Sequence, residues 1–206
     1  LFMVDCHDMH HLSNACQSAI LAVHRMRISI PKLKATILYF CEHTDSKFLG
    51  KVKLMKLFYY LDFTHVKKFG SPITFDQYVK LDHGPIPSTI KNMVDDAEAD
   101  PDSSPLADTI DIQKEDGVMM HRIVPRRSMS EFEKKLFSKS ELQILEEVCK
   151  RFGSKNMKFI EDASHEEAPW KESGMYQAIP YQLATHDSDC QVDAEDIDLA
   201  MQISNA

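Results

Sequence analysis

The densest group of potential metal ligands lies near the start of the sequence. One thiol and three imidazoles fall within six residues: Cys6, His7, His10 and His11. In a helix, residues four apart share one face, so Cys6 and His10, or His7 and His11, would project together. Thiolate and imidazole groups bind zinc or nickel. Because no second ligand cluster follows in the sequence, this group is a weak candidate for a metal site, and we predict neither a structural metal nor a cofactor.

Motifs of enzyme active sites are absent from the sequence. It has no glycine-rich phosphate loop, no Gly-x-Ser-x-Gly nucleophile motif and no His-Glu-x-x-His zinc motif. The run His165-Glu166-Glu167 begins like the last of these, but the second histidine at the required spacing is missing. We therefore predict that the protein is not an enzyme.

A further group of polar side chains lies within residues 51–69, where apolar residues cover most of the helical circumference. Such a helix is typical of a buried position at the centre of a domain. Spacings of three and four place a narrow polar stripe on one of its faces. We predict that Tyr59 serves the fold and that the stripe faces outward, towards a partner; its members are Lys53, Lys56, Tyr60, Thr64 and Lys67.

Charge is divided unevenly along the 206 residues, although the net charge is only −8. Residues 25–91 hold 12 Lys/Arg against 5 Asp/Glu, a net charge of +7, whereas residues 92–206 hold 12 against 25, a net charge of −13. Residues 1–24 contribute the remaining two acidic groups. Such asymmetry favours a charged partner, although evolutionary drift in the charge of solvent-exposed faces would also produce it.

Cysteine usage and hydropathy indicate a protein of a reducing compartment. The five cysteines are odd in number and include no Cys-x-x-Cys pair, which disfavours a disulfide framework. No stretch reaches the roughly 18 apolar residues that a membrane span needs, and the N-terminus lacks the pattern of a secretion signal. We therefore predict a cytoplasmic protein with no membrane partner.

The elements that would position these residues are predicted from periodicity, capping and turn signals. Apolar residues at helical spacing mark helices near 33–41 and 142–152, and Ser138 with Glu141 forms a capping box at the start of the second. Residues 109–124 are typical of a β-hairpin around an Asp-Gly turn. The sequence thus predicts an α+β, predominantly α-helical, compact domain with a small β-hairpin or sheet.

The last part of the chain is acidic. From Ser173 onward it has no Lys or Arg and six Asp/Glu residues, a composition for which disorder is the default expectation. It also contains a short amphipathic pattern, with Ile197, Ala200 and Met201 on one side. Such an arm would cover either a basic surface of a partner or the basic half of its own chain.

Several segments, in order, resemble the Panacea domain, also called the SocA-like antitoxin or phage GepA-like domain. The helix Lys53–Phe63 is similar to the family's K-L-x-K-L-x-Y-x-x-D/Q core helix, and Phe69-Gly70-Ser71-Pro72-Ile73-Thr74 is similar to the link that follows. The strand and Gly-Pro turn of the family are matched at Tyr78–Ser88, and the later segments are Leu142–Gly153, Ser164–Trp170 and Ile179–Tyr181. His83 departs from the family, which often has an aromatic residue there.

The resemblance divides the chain into three parts. Residues 1–25 are an N-terminal extension, since Met26 would also make a natural start. Residues 26–182 form the Panacea (SocA-like) domain, and residues 183–206 form an acidic C-terminal tail with a short helix.

The resemblance implies an antitoxin of a bacterial, phage or prophage toxin–antitoxin system. It would neutralise a cognate protein toxin by direct binding and without chemistry. Trp170 is expected to fill the core. The expected partner-binding residues lie on the polar stripe and at the Gly-Pro turn: Lys53, Lys56, Tyr60, Lys67, His83, Gly84 and Pro85.

Two other functions remain open. A nucleic-acid-binding regulator would use the basic half and Tyr60 among its lysines, because phosphate attraction and stacking hold single strands; the net negative charge disfavours it. An adaptor that delivers its partner to a protease is the other alternative. Neither the toxin nor the oligomeric state, including a homo-oligomer, follows from the sequence.

Overall fold

The computed structural model describes residues 28–114 and 120–205 of the chain. Helices dominate these ranges, which confirms the predicted α+β, predominantly helical fold class. Within them, no helix combines the length and the apolar character that crossing a bilayer requires. The helices are α1 (Ile30–His43), α2 (Lys51–Phe69), α3 (Ser88–Ala99), α4 (Glu131–Lys134), α5 (Lys139–Phe152), α6 (Met157–His165), α7 (Ala168–Glu172), a 3-10 helix (Tyr181–His186) and α8 (Ala194–Asn205).

Helix α2 is the centre of the domain, as its apolar pattern predicts. It is buried on nearly every side, and α5, α6, the 3-10 helix and a β-strand pack directly against it. The helix ends at Gly70, whose left-handed φ of 76° suits glycine. The Gly70 N–H donates to the carbonyl of Val66 at 2.9 Å, so the chain leaves the helix sharply towards the sheet.

Polar caps fix where the flanking helices start. Ser29 accepts a hydrogen bond from the backbone of α1, and Ser130 and Ser138 form complete capping boxes with Glu133 and Glu141 at the starts of α4 and α5. The capping box predicted at Ser138 is therefore confirmed, and Ser130 forms a second one. The apolar stripes that these caps orient are buried against α2, through Leu33, Ile37, Phe40, Leu145 and Phe152.

Two small antiparallel sheets complete the described domain. The first has the strand order β2–β1–β5, and the second is the β3–β4 hairpin predicted within residues 109–124. The turn of that hairpin, residues 115–119, lies outside the described residues. The strands are β1 (Tyr78–Leu81), β2 (Gly84–Pro87), β3 (Ile110–Gln113), β4 (Arg122–Pro125) and β5 (Ala178–Ile179).

The acidic C-terminal part packs on the domain, contrary to the default expectation of disorder. The predicted amphipathic helix is present as α8, with Ile197 fully buried and Met201 packed against the core. The Gln191 N–H also donates to the carbonyl of Lys67 at 2.7 Å, at the end of α2. Two uses of the acidic arm were predicted, and in the structure the arm covers its own chain.

A buried carboxylate, Asp62, joins α2 to the residues that follow it. Its Oδ1 accepts hydrogen bonds from the backbone N–H groups of Ile73 and Thr74, both at 2.8 Å. Its Oδ2 accepts from the hydroxyl of Thr74, from Tyr78 at 2.9 Å and from Tyr181 at 3.3 Å. Burial raises the pKa of Asp62 to about 6, although these hydrogen bonds oppose the shift. One side chain therefore fixes the link after α2, strand β1 and the 3-10 helix.

We predict that Asp62→Ala lowers the free energy of unfolding by about 3 kcal/mol or more, because several buried donors each lose an acceptor worth ~1–3 kcal/mol. Asp62→Asn keeps one carbonyl oxygen for the two backbone donors and should cost less. The folded-state pKa of about 6 exceeds the ordinary value of 3.8, so the folded wild type takes up the proton first as pH falls.

The free energy of unfolding of the wild type, relative to Asp62→Asn, should therefore increase as pH falls from about 6 towards 3.8. Urea unfolding of both proteins across this range measures the difference. A difference that stays constant with pH would contradict the assigned burial of the ionised group.

Candidate protein interaction site

The polar stripe of α2 is buried, so the prediction that it faces outward is wrong. Lys53, Lys56, Tyr60 and Lys67 are almost entirely covered, and Thr64 is half-buried. The physical reason is that each ammonium group reaches acceptors on another element of the same domain. The long apolar stem of lysine allows this, since its methylene groups can pack in a core while its end finds polar partners.

Lys53 closes the end of α5. Its Nζ donates to the carbonyl of Gly153 at 2.8 Å and to the carbonyl of Lys155 at 2.7 Å. Carbonyls at the end of a helix have no partner within the helix, and a cation is favourable there. Burial lowers the pKa of Lys53 to about 8. The residue therefore holds α5 and the start of α6 onto α2.

Lys56 holds the β1–β2 hairpin onto α2. Its Nζ donates to the carbonyl of Pro85 at 2.9 Å, and burial lowers its pKa to about 7, with Glu161 opposing the shift. Gly84 has φ of 93°, and a Cβ there would lie 2.9 Å from Lys56 Cε and 2.9 Å from Ser164 Oγ. Only glycine leaves room for this close approach.

Lys67 binds the C-terminal acidic segment. Its Nζ lies 2.9 Å from Asp187, 3.1 Å from Asp189 and 3.3 Å from Glu167. Burial alone would lower the pKa of Lys67, but Glu167 and the two aspartates outweigh it and raise the pKa. Glu167 also accepts a hydrogen bond from the hydroxyl of Tyr59 at 2.9 Å. This cluster therefore joins α2, the start of α7 and the residues after the 3-10 helix.

Tyr60 is a core residue. Its ring lies 4.2 Å from that of Phe152, centroid to centroid, and the Arg151 guanidinium covers it at 5.1 Å. Burial raises the pKa of its hydroxyl, which finds no hydrogen-bond partner among the described residues. Tyr59, predicted to serve the fold, is likewise buried. A substitution at Tyr60 would test packing and not a surface.

The exposed part of the hairpin is the turn Asp82-His83. Gly84 and Pro85 were predicted to form a surface turn, but they begin strand β2 and are buried. The side chain of His83 is 77% exposed, and its Nδ1 lies 3.4 Å from Glu161. Of the residues predicted for partner binding, His83 is thus the one whose side chain reaches solvent.

A second segment carries exposed apolar side chains beside this turn. Tyr176 is 68% exposed and Met175 is also exposed, and the Tyr176 hydroxyl lies 3.3 Å from Asp82 Oδ2. Tyr176 has a left-handed φ of 62°, which is uncommon for a non-glycine residue. Its N–H donates to the carbonyl of Lys80 at 2.9 Å, and the Lys80 N–H donates to Gln177 at 3.0 Å. We name His83, Met175 and Tyr176 the hairpin patch.

Trp170 contacts strand β1 close to the hairpin patch. It is half-buried rather than part of the core, so the prediction of a core position is wrong. Its ring stacks on His165 at 3.9 Å, and Lys80 Nζ lies 4.1 Å from its ring centroid. Lys80 also donates to the carbonyl of Ser173 at 2.9 Å. These contacts tie the segment that carries Tyr176 to strand β1.

The residues that the sequence analysis weighed for catalysis or metal binding do not form such a site in the described part of the chain. His165 and Glu167 of the His-Glu-Glu run take the structural positions described above. No group of three or more His, Cys, Asp or Glu side chains in residues 28–114 and 120–205 is placed to hold a metal ion. The weak metal candidate Cys6, His7, His10 and His11 lies outside the described residues, so the absence of a metal stays a prediction.

We predict that Lys67→Met and Lys56→Met differ strongly in cost, although both remove a buried lysine from α2. Lys67→Met leaves three carboxylates without their cation and should lower the free energy of unfolding by about 3 kcal/mol. Lys56→Met removes one hydrogen bond and a cation whose charge is already disfavoured, so it should cost about 1 kcal/mol. Urea unfolding near neutral pH measures both. An equal or larger cost for Lys56→Met would contradict this assignment.

A comparison with known families agrees with this architecture. The model of the family described as antitoxin SocA-like, Panacea domain, matches residues 54–171, which is narrower than the domain predicted over residues 26–182. The match begins in α2 and ends in α7, so it contains the hairpin and the lysine contacts that hold it. The chain has no significant match among curated proteins or solved structures. Because the family model covers more than half of the chain, the protein belongs to the SocA-like antitoxin family and carries its Panacea domain.

Proposed function

We propose that this protein is the antitoxin of a toxin–antitoxin pair and that it neutralises its toxin in the cytoplasm by direct protein contact, without catalysis. Membership of the antitoxin family supports the general role. The observation that carries the place of contact is Tyr176, an aromatic side chain that is 68% exposed although its backbone is firmly held.

The hairpin patch has the chemistry of a protein interface. Aromatic residues and methionine are enriched where proteins meet, and tyrosine is frequent among the residues that dominate binding energy. Tyr176 also keeps a left-handed φ of 62°, and backbone strain of this kind is concentrated at functional sites. Because backbone hydrogen bonds to β1 fix this segment, little ordering entropy would be lost on binding.

The other residues predicted for partner binding act in this proposal as supports. Lys56 bonds to the carbonyl of Pro85, and Gly84 allows that contact, so both position the turn that carries His83. Lys53, Tyr60 and Lys67 stabilise the helices behind it. Their contribution to toxin binding is therefore indirect, through the position of the hairpin.

Charge favours a protein partner over a nucleic acid. Many lysines of the basic half are paired with carboxylates of the acidic half, whereas nucleic-acid binding depends on cations that are available to phosphates. The asymmetry of the sequence is thus largely neutralised within the domain. The pairs are Lys32–Glu141 at 2.5 Å, Lys34–Asp108 at 2.7 Å, Lys51–Asp95 at 2.6 Å and Lys68–Glu147 at 2.7 Å.

We predict that Tyr176→Gly weakens toxin binding while leaving the fold intact. Glycine accepts the left-handed backbone more readily than tyrosine, so the free energy of unfolding should stay within about 1 kcal/mol or rise. Loss of an aromatic anchor costs about 2 kcal/mol of binding, a roughly thirty-fold increase in Kd. Tyr176→Phe, which keeps the ring, should bind nearly as wild type.

The assay is growth rescue, together with calorimetry, against the protein encoded by the neighbouring reading frame. Phe132→Ala, which removes a comparably exposed ring from α4, is the matched control and should protect fully. If wild type neither binds nor protects against that protein, the antitoxin role is wrong. If Tyr176→Gly and His83→Ala both protect as wild type does, the role stands and the hairpin patch is wrong.

A further inference from the structure

A second uncovered surface lies at the start of α2, beside Lys53. It is an apolar groove of about 450 Å³ whose floor includes Phe48, Val52, Met120 and Met157. Val52 and Met157 are exposed to solvent. The groove is preformed, because the Ile123 N–H donates to the carbonyl of Leu49 at 3.0 Å and the Lys51 N–H donates to the carbonyl of His121 at 3.0 Å.

Lys51 and His121, which line the groove, contact Glu98, but two lysines beside the groove have no carboxylate partner. Lys47 Nζ lies 5.6 Å from the ring centroid of Phe48, and Lys155 Nζ lies 5.3 Å from that of Phe159. Both lysines are exposed, and neither has an ion pair within the described ranges. Their apolar stems and charged ends would suit an apolar segment that carries carboxylates.

Helix α8 presents a surface of that chemistry. Ile197 and Met201 face the domain, and the opposite side carries Glu195, Leu199 and Ile203 at spacings of four residues, which place them in one row. Leu199 is 58% exposed and Ile203 is 68% exposed. Glu195 is exposed and has no ion pair within the described part of the chain. We name this row the α8 stripe.

The groove and the α8 stripe lie at opposite ends of the central helix. The groove contains Lys51 and Val52 from the first turn of α2, whereas α8 starts beside its last residue, with Asp196 Cβ 3.3 Å from the position of a Cβ built on Gly70. The 19 residues of α2 span about 28 Å at 1.5 Å per residue. Helix α8, anchored by Ile197, therefore cannot reach the groove of its own chain.

We propose that the occupant of the groove is the α8 stripe of a second copy of this chain. Leu199 and Ile203 would fill the apolar floor, and Glu195 would approach the unpaired lysines at the rim. Each copy carries one groove and one α8 stripe, so two copies that exchange both contacts form a two-fold dimer, whereas contacts that do not close after two copies generate rings or open chains. One helix in one groove is a small interface, so the association is weak and depends on concentration.

Sedimentation velocity of the full chain, from low to high micromolar concentration, tests the proposal. The mean mass of the wild type should rise with concentration, and added sodium chloride should reduce the effect because it screens the rim charges. Two double variants should each remain monomeric: a groove variant, Val52→Glu/Met157→Glu, and a stripe variant, Leu199→Gln/Ile203→Gln. Phe132→Glu adds the same kind of charge at an exposed site elsewhere and should associate as wild type.

Mixing the two double variants distinguishes pairing of groove with stripe from pairing of groove with groove or of stripe with stripe. The groove variant retains an intact stripe and the stripe variant retains an intact groove, so the mixture should form a dimer and nothing larger. Circular dichroism checks that each variant is folded. A wild type that is monomeric throughout, variants that associate as wild type, or a mixture that stays monomeric would each overturn the proposal. If the groove variant stays folded but loses only protection against the toxin, the groove binds the toxin, and the proposal is again wrong.

Discussion

The structure depends on one constraint, which is that its central helix is buried on nearly all sides and still includes four buried lysine and aspartate side chains. A buried charge is costly unless it is paired or hydrogen-bonded. Lys53, Lys56, Asp62 and Lys67 each meet this requirement through a different part of the chain. In order, their partners are the end of α5, strand β2, the link after α2 together with β1 and the 3-10 helix, and the acidic segment before α8. The polar groups of α2 thus specify where the surrounding elements must lie.

The same constraint explains what becomes of the uneven charge in the sequence. A basic first half and an acidic second half suggest a charged partner. In the structure, however, many of these lysines form ion pairs with carboxylates of the same chain. Lys67 is the clearest case, because it collects three carboxylates that all come from residues 167–189. The acidic C-terminal segment is therefore part of the domain's own electrostatics, and its composition alone did not distinguish this role from that of a free tail.

The sequence predicts the helices, the capping boxes and the β3–β4 hairpin because these follow from local periodicity and local hydrogen bonds. It does not predict which way the α2 stripe faces, since a spacing of three and four residues places side chains on one face without saying what lies opposite. The burial of Lys53 could have been suspected, because a stripe so narrow leaves little room for solvent between apolar neighbours. Tyr176 had no such signal, as it lies in a loop without periodicity and a left-handed φ of 62° is not expected of a tyrosine.

In the function proposed above, fixing the fold and contacting a partner fall to different residues. The charges of α2 are tied to specific backbone and carboxylate groups of other elements, so the fold fixes where they lie. The exposed side chains of the hairpin patch make few contacts within the domain, and their backbone is held by hydrogen bonds that do not depend on side-chain identity. Residues at the patch can therefore vary with little effect on stability. A buried polar framework of this kind permits one fold to present different surfaces, which is what an antitoxin domain requires if different toxins are to be bound on one scaffold.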